Sequence, residues 1–304
     1  MTDPFHPRSP EPRELDAALE RLLTPPSSPP PAPSTVRGLR KTLREERARL
    51  WCAGPIGAPL GAVLTLPRPG RIEMLLGTPL GPADDPAPTG RCLQSALASG
   101  RHSDNHLAQL VHVPEAVGTA EAAKLGGMEW LAELQFLRTA SVPEPTTSLA
   151  WSLPLQSSIT WRDCDDLDNQ ELHGVLLETY VDAQDCPGLR GRREPEDILI
   201  GHEASGVRHH WMVAQVEQEP AGVLLLAETP ERHLLQVLYV GVVPKFRGKG
   251  LGQQFMAKAN EVAISRKLPL SLHVDRRNAP ALKLYRKFDL QPRESRVAWI
   301  AEIR

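Results

Sequence analysis

The sequence predicts an α/β fold built twice in tandem, each half a mixed, mostly antiparallel sheet flanked by helices. Three observations carry this prediction. The same order of elements (hairpin, helix, strand, helix, strand) is legible in both halves of the chain. One strand, Leu235 to Val242, is apolar on both alternating faces and runs through a glycine-rich loop straight into an amphipathic helix. The 304 residues, 41% of them hydrophobic, are enough for two domains that each bury a core, which favours that division over one large domain.

Taken in order, residues 1–34 read as a proline-rich, partly disordered N-terminal segment. Within it, Pro12 to Leu23 aligns Leu15, Ala18, Leu19 and Leu22 on one helical face. Pro25 to Pro33 is too dense in proline for a helix or a sheet ladder and reads as an extended spacer. The first domain is placed at 35–145. It opens with a helix over 36–50 whose mixed charges suit a solvated face. A hairpin follows, Gly61 to Leu66 and Arg71 to Leu76 about the turn Pro67-Arg-Pro-Gly70. Next come a helix near 90–99, a strand at 107–113, a helix at 119–125 and a strand at 128–137. The stretch Ser141-Val-Pro-Glu-Pro-Thr-Thr-Ser148 marks the domain boundary.

The second domain, 150–304, carries a helical region from Leu172 to His202 and strands at 211–216, 222–227 and 235–242. After the glycine loop and its helix come a strand at 270–274, a helix at 279–287 and a last strand at 297–303.

The loop Val243-Pro-Lys-Phe-Arg-Gly-Lys-Gly-Leu-Gly252 has the chemistry of a phosphate cradle. Glycines at 248, 250 and 252 let the backbone bend and let its N–H groups approach a ligand closely. The helix that starts there adds its positive dipole end, and Arg247 and Lys249 add charge. Spacing excludes two nucleotide loops: Gly250 is followed by Leu251 rather than Lys-Ser/Thr, and the glycines alternate instead of following Gly-x-Gly-x-x-Gly. At the matching place the first half reads Gly81 to Gly90 with Asp84 and Asp85, whose charges would repel a pyrophosphate. That half is expected not to bind the ligand of the cradle, and to serve as architecture or to help wall the site where that ligand reacts.

Arg247, Gly250 and Gly252, spaced Arg-x-x-Gly-x-Gly, resemble the acyl-coenzyme A signature of the GNAT superfamily of N-acyltransferases. A second stretch agrees: Asn278, Ala281, Leu284 and Tyr285 match the Asn-x-x-Ala-x-x-Leu-Tyr helix that flanks the coenzyme A arm in that superfamily. The tandem plan with one degenerate half resembles the mycothiol synthases. The resemblance covers residues 157–304 by motif and the first half by element order. It implies acetyl-CoA (coenzyme A) as cosubstrate, held by Val242, Val243, Arg247, Gly248, Lys249, Gly250, Leu251, Gly252, Asn278 and Tyr285. It also implies transfer of the acetyl group to a primary amine, a small molecule or a peptide, by direct attack. Tyr285 would protonate the departing thiolate, and backbone N–H groups near Val242 and Val243 would meet the tetrahedral oxyanion. From the residues alone, Asn278 also reads as a helix N-cap and the Tyr285 ring as core. Asp289-Leu290 stands where the family usually has Gly-Phe, a change that a left-handed Asp tolerates.

One position departs from the family's chemistry. Gln236 stands where many members have a glutamate base. Glu228, Glu231, His233, His273 and Asp275 are the nearby substitutes, and the sequence singles out none of them. The alternative reading is therefore a non-catalytic coenzyme A-binding or protein-interaction module. The loop Asp182 to Arg193 packs aspartates, Cys186, turn formers and arginines together. It reads equally as a ligand-gating loop or as a Pro187-Gly188 turn capped by Asp185.

Composition bounds the rest. A net charge of −2 gives no footprint for nucleic acid or an anionic membrane. Four scattered cysteines, Cys52, Cys92, Cys164 and Cys186, signal neither a metal site nor a disulfide framework, and Cys186 lacks a neighbouring base to make it a nucleophile. With no leader and no apolar run of membrane-spanning length, the expectation is a cytoplasmic monomer or homodimer.

Overall fold

The computed structural model describes residues 5–25, 28–100, 104–144, 159–163, 169–204 and 209–303. Cys164, the whole of 145–158 and part of the proline spacer lie outside them. In chain order the helices are α1 (Leu15–Leu23), α2 (Pro33–Glu45), α3 (Ala87–Gly100), α4 (Val117–Leu125), α5 (Asn169–Tyr180), α6 (Pro195–Glu203), α7 (Leu251–Arg266) and α8 (Ala279–Lys287). The strands are β1 (Arg49–Ala53), β2 (Gly61–Arg68), β3 (Ile72–Gly77), β4 (Leu107–His112), β5 (Glu129–Arg138), β6 (Ile159–Asp163), β7 (His209–Val216), β8 (Glu219–Thr229), β9 (Leu234–Val242), β10 (Leu270–Asp275) and β11 (Gln291–Glu302). No helix among the described residues is long and apolar enough to cross a membrane.

The chain forms two compact units, 1–132 with 296–304, and 133–295. In the first unit β1, β2 and β3 run antiparallel, β3 pairs parallel with β4, and residues 297–302 of β11 close antiparallel on β4. Strand β2 is buried on both faces. Val63 joins Leu75, Leu93, Leu110 and Ala122, while Ala62, Leu64 and Leu66 join Ala18, Leu19 and Leu22 of α1. Trp299 on β11 enters the first of these clusters, and its Nε1–H donates to His112 Nε2 at 3.0 Å.

In the second unit β6, β7, β8 and β9 run antiparallel, β9 pairs parallel with β10, and residues 134–138 of β5 close antiparallel on β10. Each unit is thus a mostly antiparallel sheet with one parallel pair, as the sequence predicts. Its core is the apolar run Val223 to Leu226 on β8 together with Leu235, Leu270 and Leu272. Helix α7 packs onto this core with Leu251, Phe255, Ala259 and Ala263, and Trp161 of β6 meets the Phe255 ring edge-on at 5.2 Å.

Three features differ from the sequence reading. The units divide within β5 and β11 rather than at 141–148, because each half supplies a closing strand to the sheet of the other. Composition marks a loop, and only long-range pairing shows which sheet a strand joins. The N-terminal stretch, expected to stand apart from the first domain, is part of the first unit. Arg8 exchanges both backbone hydrogen bonds with Cys52 and pairs with Glu14, which is 1% exposed, while α1 buries Ala18, Leu19 and Leu22. Finally, α2 stops at Glu45 and β1 follows, with Arg47 between them at φ +52°; the charges of 36–50 had masked this five-residue strand.

Candidate functional site

The cradle is positioned by a fault in the sheet. Leu225 pairs with Tyr239 and Leu226 with Val237, so Leu238 bulges out of the ladder. Strand β9 matches β10 over only three positions, Leu235 to Val237, after which the parallel strands part. Beyond that point, up to Val242, β9 is held from the β8 side alone. The Val243 amide donates to Ala221 of β8 at 2.9 Å, so by alternation the Val242 and Val240 amides point toward the open side.

From Val243 a short turn, Pro244–Phe246, leads to Gly248 at φ +74° and Gly250 at φ +85°. These are left-handed positions where a Cβ is penalised, yet space around both is open. Gly250 is the N-cap of α7 and offers no side chain to the first-turn amides. Gly252 serves packing instead: a Cβ there would stand 3.1 Å from Leu284 of α8. The counterpart in the first unit is already filled with acid, since Asp84 accepts the Gly81 amide at 2.8 Å and Asp85 accepts the Ala87 amide at 2.9 Å. Two loops of like position thus present opposite surfaces, one donors and one carboxylates.

The α7 cradle opens onto a cavity of about 650 Å³. Val242, Arg247, Gly248, Gly250, Leu251, Gly252 and Asn278 line it; Val243, Lys249 and Tyr285 are not among the lining residues. Arg247 is a clamp as well as a charge, donating from Nε to the Val242 carbonyl at 2.9 Å and from Nη2 to the Thr179 carbonyl at 3.0 Å. The Lys249 ammonium lies 5.4 Å from the centre of the Phe246 ring. Asn278 caps α8 by accepting the Ala281 amide at 3.3 Å, and its side chain also bonds Asp185. Tyr285 is 6% exposed, and burial drives its phenol pKa well above the ordinary value, so it keeps its proton at any working pH.

The opposite wall comes from the loop the sequence marks as unusual. Asp185 Oδ1 accepts the Asp275 amide at 2.9 Å, and the Cys186 amide donates to Asp275 Oδ2 at 3.3 Å. This double link fixes the 182–193 loop to the end of β10. Asp185 therefore caps β10 rather than the Pro187-Gly188 turn. Asp185 is exposed and lines the cavity, although the surrounding protein desolvates its carboxylate enough to raise the pKa against the pull of its two donors. Burial, then Asp185 and Asp275, push the Cys186 thiol up to about 12, leaving a thiol and not a nucleophilic thiolate.

Two tyrosines that the sequence reading had passed over stand between loop and strand. Tyr180, ending α5, meets Tyr239 of β9 with ring centres 5.1 Å apart, and the Tyr239 hydroxyl bonds Thr179 Oγ1 at 2.8 Å. Burial raises both phenols, Tyr239 to about 12. Their apolar character in the helix and strand patterns concealed them. The expected base substitutes lie elsewhere: Glu228 pairs with His210 at 3.0 Å, Asp275 is fully buried against Arg277, and Gln236 and His273 are 3.4 Å apart, with the His273 ring tilted against Phe136 at 5.0 Å between centres.

Comparison with known proteins agrees with this geometry. Residues 176–290 match the model of the acetyltransferase (GNAT) family. The chain is 32% identical over 142 residues to an uncharacterized N-acetyltransferase of Archaeoglobus fulgidus, covering 44% of this chain and 92% of that protein. It is 38% identical over 119 residues to a mycothiol acetyltransferase of Acidothermus cellulolyticus, covering 38% of this chain and 32% of that protein. The whole chain is similar in fold to a tandem GNAT protein from the clavulanic acid biosynthesis pathway, with a TM-score of 0.53 and 15% identity, over 96% of this chain and 94% of that one.

Proposed function

The chain belongs to the GNAT family of acetyltransferases, and on that premise we propose that it moves an acetyl group from acetyl-CoA to a primary amine by direct attack in the cavity of the second unit. The observation that carries this reading is the uncapped start of α7 at Gly250, which opens onto the same cavity as the parted end of β9. The first-turn amides and the helix dipole suit a pyrophosphate, and the open edge of β9 suits a pantetheine arm lying along it like an added strand. The named relatives are acetyltransferases, so the alternative of a non-catalytic module is set aside.

Bound acetyl-CoA supplies an activated acyl carbon. The amine nitrogen forms a bond to that carbon, the carbon–sulfur bond breaks, and one proton passes overall from nitrogen to sulfur. The Val242 and Val240 amides, aimed at the open side of β9, are the donors for the oxyanion. Asp182 and Asp185 both line the cavity, and the raised pKa of Asp185 suits it to hold an ammonium and take its proton. Tyr285 retains its proton and, on the family resemblance, is the donor assigned to the thiolate. The acceptor is a small molecule or a peptide.

The test is binding followed by turnover. Acetyl-CoA should raise the unfolding temperature, and free thiol should then appear with members of a primary-amine panel. Absence of both stabilisation and thiol release at millimolar acetyl-CoA would overturn the reading.

A further inference from the structure

Acyl transfer leaves three charged cavity-lining groups unused: Asp182 and Arg190, which pair with each other at 3.8 Å, and Arg193. Arg193 sits at the end of the 182–193 loop, half-buried, and lines the cavity with Tyr180 and Asp185. Burial lowers its pKa, so the protein destabilises this cation rather than neutralising it. Asp197 bears on it electrostatically, but the hydrogen bond between them, from Nη2 at 3.0 Å, goes to the Asp197 main-chain carbonyl. Its Nε is buried with no hydrogen-bond partner. A guanidinium has five donors in a planar fork matched to a carboxylate, and a desolvated one beside a cavity, with its Nε unpaired and no carboxylate bonded to its fork among the described residues, is stabilised by an anionic ligand.

The charge opposite is Asp185. Both Arg193 and Asp185 act electrostatically on the Tyr180 hydroxyl, which places a cation and an anion around one phenol at the wall facing β9. The cavity is also lined by the paired Asp182 and Arg190, and by Arg247, which is held by the Val242 and Thr179 carbonyls; Arg193 and Asp185, the two charges around Tyr180, together complement a ligand that carries both signs.

We propose that Arg193 is a carboxylate-recognition residue, and that the acceptor is an amino carboxylate whose amine faces Asp185 and whose carboxylate is received by the Arg193 fork. This inference rests on the proposed acyl transfer for the identity of the reacting amine, and on the cavity alone for the carboxylate. Arg193 acts on the acceptor and not on the phosphate cradle, which is built from α7 and β9.

The experiment has a binding arm and a turnover arm. In the first, calorimetry measures the affinity of N-acetyl-6-aminohexanoate, N-acetyl-β-alanine and N-acetyl-phenylalanine, each against its methyl ester, for the wild-type chain, Arg193→Lys and Arg193→Met. In the second, thiol release from acetyl-CoA is measured with the corresponding free amino acids and their esters. For at least one pair the wild type should favour the acid by about tenfold or more, the size of one charge-assisted fork. Arg193→Met should erase that preference, Arg193→Lys should keep part of it, and acetyl-CoA affinity should be the same in all three proteins.

Turnover with no preference for acid over ester would overturn the carboxylate site while leaving acyl transfer in place. Preferential binding of the acids, lost in Arg193→Met, with no thiol release from any amine, would support the site and overturn acyl transfer to amines. A preference that survives Arg193→Met, or a loss of acetyl-CoA affinity in that variant, would overturn the assignment to Arg193.

Discussion

The Asp185 carboxylate accepts the main-chain amide of Asp275, 90 positions away, at 2.9 Å, and Asp275 in turn accepts the amide of Cys186 at 3.3 Å. The reciprocal link ties the cavity loop to the end of β10, where Asp275 also holds its own turn through the Arg277 amide at 2.9 Å and the Arg277 guanidinium. A loop of turn formers and charges, with little apolar area to bury, is ordered here by hydrogen bonds to a fully buried carboxylate.

Replacing Asp275 by Ala removes an acceptor from two amides and one guanidinium. The expected loss is about 2 kcal/mol in the urea unfolding free energy, with faster hydrogen exchange across 182–193. Unchanged exchange in that loop would show that the link does not hold it.

His112 gives the first unit a pH dependence of known sign. Its Nδ1–H donates to the Val113 carbonyl at 2.7 Å and its Nε2 accepts from Trp299, so the neutral ring is the form that fits, and burial holds the folded pKa below the ordinary value. The unfolded chain, titrating near about 6.5, takes up a proton that the folded chain refuses. The stabilisation is complete above that pH and is lost as pH falls below it toward the folded value. Denaturant midpoints at pH 7.5 and 5.5 should differ more for the wild type than for His112→Gln; equal differences would remove His112 from the account.

Gly250→Glu places a carboxylate at the uncapped start of α7. Space around Gly250 is open, so the fold should survive at a cost of about 1 kcal/mol for the left-handed backbone, while stabilisation by acetyl-CoA disappears. Retained affinity would show that the cofactor lies elsewhere.

Two phenols compete for the role of proton donor. If Tyr285 serves the thiolate, Tyr285→Phe should lower kcat by about 100-fold with little change in acetyl-CoA affinity. Tyr239→Phe, which removes the hydroxyl bonded to Thr179, should raise KM for the amine more than it lowers kcat. The reverse pattern would exchange the roles.

The cradle was legible because its chemistry is local. Alternating glycines between an apolar strand and a helix state a backbone geometry outright, and Gly248 and Gly250 adopt the left-handed conformation that only glycine takes freely. Asn278 was legible as a cap for the same reason. The acceptor wall was half legible: Asp182 to Arg193 stood out by composition, but nothing in the sequence shows that its anchor is Asp275 or that Arg193 comes beside Tyr180. Tyr180 and Tyr239 sit on apolar stripes and read as packing until the bulge at Leu238 turns β9. Strand exchange was not legible, because the pairing of β5 with β10 and of β11 with β4 is long-range and leaves no local mark in the sequence.

That exchange also sets an order of events for a chain emerging from its N-terminus. Residues 5–132 cannot close their sheet until residues 297–302 arrive to pair with β4, so the first unit to be made is not the first to be finished. A cut between Glu144 and Ile159 leaves the N-terminal fragment holding β5 without β11 and the other holding β11 without β5, each with a bare strand edge open to self-association. Mixed in equal amounts, the two fragments should restore one another.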